Sequence, residues 1–230
     1  MMSYRRGERA IAVCLTVLSG YVDAIGFIYL GGYFLAFMSG NSTRLGVGFE
    51  QGWMHAALPA GLISLFVAGV VIGTLTGRRR GPHRRVYVLA LVFLLLAGAA
   101  LCHRFSADHL TIALMVLAMG AENTVFERNG EVSIGLTYMT GTLVKLGQRL
   151  TLAFLGGDRF GWVWHLLLWL GLISGTLIGA IAYERFGLDA LWAPVAAALA
   201  ITLTMTRLPE PIPVPPDCVP RGDRTGRPKG

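Results

Sequence analysis

The sequence predicts an all-α membrane protein: six transmembrane helices in two inverted three-helix repeats, each with a broken or re-entrant polar segment. Three observations lead there. Hydrophobic residues make up 54% of the chain and charged residues 14%, with a mean hydropathy of +0.59, whereas roughly a quarter of the residues in soluble domains are charged. Six apolar stretches approach the ~20 residues a helix needs to cross the hydrocarbon core. Several small and polar phrases occur twice, with a separation of about a hundred residues.

The first stretch, 10–30, follows the basic start "SYRRGER", and its "AIAVCLTVL" resembles the core of a secretory leader. Its place in the first repeat makes it an uncleaved helix instead. Stretches 54–77 and 86–102 follow, separated by Arg78, Arg79, Arg80, Arg84 and Arg85. The second half supplies 109–126, 162–183 and 188–205. The repeats are expected over 1–106 and 107–206. Beyond them 207–230 is Pro-rich and then basic, too poor in apolar residues to bury a core, and is expected to be disordered. Cys14, Cys102 and Cys218 have neither pairwise nor metal-ligand spacing, so no disulfide framework and no metal are expected.

Sliding the chain against itself aligns Gly20 and Asp23 with Gly120 and Asn123 at an offset of 100. Met38, Ser39, Gly40, Arg44, Leu45 and Gly46 align with Met139, Thr140, Gly141, Lys145, Leu146 and Gly147 at 101. Gly69, Gly73, Thr74 and Gly77 align with Gly171, Gly175, Thr176 and Gly179 at 102. This third phrase is a double G-x-x-x-G, which lets a second helix backbone come close.

Charge decides whether the polar phrases cross the membrane. With six spans, re-entrant phrases and a cytoplasmic N-terminus, only Arg44, Arg104 and Arg185 of the 20 Lys and Arg lie outside. With eight spans the 78–85 cluster, Arg128 and Arg185 lie outside instead. The bias of basic residues to the cytoplasm favours six. The net charge of +7 is therefore read as an orientation signal, and no nucleic-acid partner is expected. Both termini are placed in the cytoplasm.

Irregular backbone at membrane depth must face protein or a water-filled cavity, so the phrases "SGNSTR" and "TGTLVK" are the candidate site. Asp23, inside the first span, is expected to pair with Arg44, and Glu122 or Asn123 with Lys145; each pair is either structural or a solute or proton site. Gly40, Asn41, Ser42, Thr43, Thr140, Gly141 and Thr142 either cap the broken helices or bind a small polar ligand. The sequence has no H-E-x-x-H motif, no P-loop and no nucleophile elbow, so neither catalysis nor a cofactor is expected.

The segments "LSGYVDAIGFIYLGGYFLAFMSGNSTRLG" and "MGAENTVFERNGEVSIGLTYMTGTLVKLG" resemble the YoaK-like family of uncharacterised bacterial integral membrane proteins, over about residues 10–205. The resemblance implies a cytoplasmic-membrane protein and brings no substrate. The expected function is a small secondary transporter or permease for a small polar or anionic solute, in which Asp23 or Glu122 responds to a proton or cation. The alternatives are a pore formed by a homo-oligomer and a membrane scaffold without transport. The lipid bilayer is the partner common to all three.

Overall fold

The computed structural model describes residues 6–78, 83–128, 131–132 and 134–207. Arg79, Arg80 and the tail beyond Arg207 lie outside them. The elements in chain order are α1 (Arg6–Tyr29), α2 (Met38–Gln51), α3 (Trp53–Arg78), α4 (Arg84–Arg104), α5 (Asp108–Glu122), β1 (Glu127–Arg128), β2 (Glu131–Val132), α6 (Met139–Phe154), α7 (Val163–Phe186), a 3-10 turn (Gly187–Leu191) and α8 (Trp192–Thr206). The two strands form a two-residue antiparallel pair, Glu127 opposite Val132. The other elements among the described residues are helices joined by turns and loops.

Among the described residues, four helical segments are long and apolar enough to cross a membrane: Gly7–Tyr29, Trp53–Arg78, Arg84–Arg104 and Val163–Thr206. The last spans 44 residues and holds both α7 and α8. The stretch expected at 109–126 forms a helix of 15 residues, α5, ending at Glu122. Two side chains turn back on the preceding turn there: Asn123 Nδ2 donates to the Met119 carbonyl at 2.9 Å and the Thr124 hydroxyl to that of Ala121 at 2.8 Å. Such local bonds compete with the next helical turn, and the chain passes through turns to Phe126.

Glycines set how the long helices meet. A β-carbon on Gly175 or Gly179 would collide with backbone atoms of Val17 or Tyr21, and one on Gly69 or Gly73 with backbone atoms of Leu117 or Ala121. Residue numbers rise together in both contacts, so α1 runs parallel to α7 and α3 parallel to α5. By contrast Ser19 meets Glu122 while Tyr29 meets Asp108, so α1 and α5 run in opposite directions. The glycine ladders thus face protein, as close packing requires.

The ladder register differs from the sequence alignment. Gly20 lies against the Leu172 carbonyl and the Thr176 N–H, and Gly120 in the same way against those of Phe66 and Val70. Residues 172 and 66, like 176 and 70, differ by 106, one helical turn more than the aligned offset of 102. Glycine at every fourth position allows both registers, and the sequence match favours 102, which pairs three glycines where 106 pairs two.

The core lies where α1, α4 and α5 meet, with Val22, Ile25, Val92, Leu96, Met115 and Met119 enclosed. At one end Arg84 pairs with Glu127 at 2.7 Å and Arg85 pairs with Glu8. At the other, Asp108 accepts from the Tyr29 hydroxyl at 3.1 Å and lies 3.0 Å from His103 Nδ1.

Candidate binding site at the starts of two short helices

After α1 the chain reverses at Gly31 and Gly32, whose φ values of +66° and +106° lie in the left-handed region that favours glycine. It then returns alongside α1. Asp23 Oδ1 accepts from the backbone N–H groups of Leu35 and Ala36, both at 2.7 Å. Asn41 holds the same strand of chain from the far side, accepting from the Phe34 N–H at 3.0 Å and donating from Nδ2 to the Phe34 carbonyl at 2.6 Å. Backbone that would otherwise be unpaired inside the protein is satisfied by these two side chains.

The chain before α6 is held by a different bond. Asn123 Oδ1 accepts from the Thr137 hydroxyl at 3.0 Å, which fixes the chain just before α6. Neither Phe37 before α2 nor Tyr138 before α6 offers a side-chain cap. Each helix start therefore leaves first-turn N–H groups without an acceptor in its own helix.

Both starts lie on one cavity of about 290 Å³, lined by residues that include Met38 and Ser39 from α2, Thr140 and Gly141 from α6, Thr137, and Phe66 from the middle of α3. Two helix N-termini, each equivalent to roughly half a positive charge, thus border the same space. Such an arrangement favours an anion or the negative end of a polar molecule.

The predicted site residues separate into groups. Thr140 and Gly141 line the cavity. Asp23, Asn41 and Asn123 are buried and hold backbone or linker groups. Thr142 bonds back to the Tyr138 carbonyl at 3.2 Å, and Ser42 and Thr43 bond back along α2 to Met38 and Ser39. Gly40 packs on the Phe34 ring.

The expected charge pairs do not form. Asp23 is held by backbone amides, whereas Arg44 is exposed, its guanidinium 4.8 Å from the centre of the Tyr33 ring. Glu122 is fully enclosed and accepts from the Ser19 hydroxyl at 2.8 Å, while Lys145 is exposed on α6. A short helix turns its cations outward because burying them without partners is costly. Ser39 and Thr137 were not singled out as ligands, although Ser39 aligns with Thr140 in the doubled phrase; Phe66 carried no sequence signal.

Residues 11–204 match the profile of the family described as "Protein of unknown function (DUF1275)". The chain belongs to the DUF1275 family. It is 35% identical over 195 residues to the UPF0700 transmembrane protein RA0705 of Rhizobium meliloti (strain 1021), covering 83% of this chain and 82% of that protein. It is also 35% identical over 143 residues to the UPF0700 transmembrane protein YoaK of Bacillus subtilis (strain 168), covering 58% of this chain and 62% of the relative. No solved structure matches the chain. Membership of this transmembrane family makes it an integral membrane protein with bacterial homologues, in keeping with its apolar helices.

Proposed function

We propose that this DUF1275 protein is a permease for a small polar or anionic solute, built of two inverted three-span halves, with α2 and α6 as half-helices entering from opposite sides. The shared cavity at the two uncapped helix starts carries the reading. The packing supports the inversion. α1 is parallel to α7 and α3 to α5, but α1 is antiparallel to α5, which parallel repeats would not give. α2 and α6, at 14 and 16 residues, are as a class no shorter than α5 and α8 at 15, so what favours re-entry for them is the polar phrases "SGNSTR" and "TGTLVK" that they carry. Phe66, level with the helix starts, lies midway along a membrane-spanning candidate. Broken helices that aim their N-termini at a solute near the midplane are a known transporter device.

The test fills the cavity without disturbing the packing. A β-carbon on Gly141, which lines the cavity, meets nothing within 4 Å, so Gly141→Leu adds bulk at the cavity wall without a packing clash at its β-carbon. Proteoliposomes are assayed for uptake of small labelled anions (nitrate, formate and phosphate) with glycerol as the neutral comparison. Saturable uptake of at least one solute, cut tenfold or more by Gly141→Leu with normal thermal stability, is expected. Uptake equal in the variant and the parent would remove the cavity from the pathway.

A further inference from the structure

Among the described residues, two enclosed side-chain atoms have no hydrogen-bond partner: Arg84 Nε and Glu122 Oε1. Arg84 is already neutralised by Glu127. No cation among the described residues neutralises Glu122: it is fully enclosed, and its carboxyl accepts one hydrogen bond, from the Ser19 hydroxyl to Oε2 at 2.8 Å. The charged groups on the helices around it are engaged or placed elsewhere, with Arg78 exposed at the end of α3 and Arg9 of α1 over the Trp164 ring. On α1, Asp23 holds Leu35 and Ala36 and Glu8 holds Arg85; on α4, Arg84 and Arg85 are taken by Glu127 and Glu8. At the start of α5 itself, Asp108 faces His103 and Tyr29. α3 brings Thr74 to Glu127, not to Glu122. A carboxylate with one hydroxyl for company and no counter-charge is far costlier than a carboxyl that keeps its proton.

We propose that Glu122 is a proton-exchange site, taking up and releasing H⁺ at Oε1 as the Ser19–Glu122 contact between α1 and α5 opens to water. On release the O–H bond at Oε1 breaks and the proton passes to a water molecule; on return the same bond re-forms and Ser19 again donates to Oε2. The contact joins the two antiparallel helices, so any motion of one half against the other acts on it directly. As a coupling group Glu122 rests on the permease reading; as a proton site it does not.

Infrared difference spectroscopy of the full-length protein in lipid reads the group without any solute. A carbonyl band of an un-ionised carboxyl should vanish in Glu122→Gln, move to higher frequency in Ser19→Ala, shift in D₂O and bleach at alkaline pH. No such band, or one that neither shifts in D₂O nor responds to pH until the protein unfolds, would overturn the proposal. Should Glu122→Gln fail to fold, Glu122→Asp and Ser19→Ala decide: a displaced band in either supports the site, and unchanged bands in both refute it. Solute uptake, measured separately, tests the permease reading, and the infrared result stands whichever way uptake falls.

Discussion

Removing the Asp23 carboxyl leaves the N–H groups of Leu35 and Ala36 without an acceptor inside the protein, at a cost of about 1–3 kcal/mol for each. Asp23→Ala should therefore lower the melting temperature in detergent strongly, and Asp23→Asn, which keeps an acceptor oxygen, much less. Arg44→Gln should add to either change with a coupling below about 0.5 kcal/mol, because the two residues share no contact. A large coupling in that double-mutant cycle would restore the ion pair expected from sequence. The sequence showed that a carboxylate inside a span needs a partner. It did not show that the partner is backbone, since the returning linker 30–37 looks like any apolar stretch. Asn41 and Asn123 were visible as polar residues in the doubled phrases for the same reason, and their roles as clamps appear only once the linkers fold back.

Helix packing was more legible. Double G-x-x-x-G phrases announce close contacts, and the contacts are there: Gly73→Leu or Gly175→Leu would force a side chain into the backbone of the facing helix. Both variants should express poorly or melt well below the parent. Gly147 of α6, by contrast, has open space around its β position, so Gly147→Ala should be neutral or stabilise by about 0.5–1 kcal/mol through helix propensity alone. Equal behaviour of the two classes in a thermal-shift assay would contradict the packing described. Register and length were the harder quantities. A four-residue glycine spacing allows a one-turn slip, and the expected span runs on to Val125 and Phe126 across polar Glu122, Asn123 and Thr124, whereas α5 stops at Glu122 under the local bonds of Asn123 and Thr124.

At the scale of the molecule, the starts of two short helices, α2 and α6, held by unlike clamps, border one cavity, while a carboxyl with no counter-charge among the described residues sits where α1 meets α5. Composition made the membrane character legible; the meeting of the two helix starts depends on how the linkers return, which no periodicity records. The central claim is that the halves are inverted and both half-helices re-enter on their own side. Labelling with a membrane-impermeant maleimide tests it most directly, in a background without Cys14, Cys102 and Cys218. Single cysteines replace Gln51 at the end of α2, His83 before α4 and Leu155 after α6. With a cytoplasmic N-terminus, the account predicts that Gln51→Cys is labelled from outside intact cells, and that His83→Cys and Leu155→Cys are labelled only after the membrane is opened. Labelling of His83→Cys from outside, with Gln51→Cys and Leu155→Cys both protected, would show that the polar segments cross the membrane and would contradict the inverted architecture.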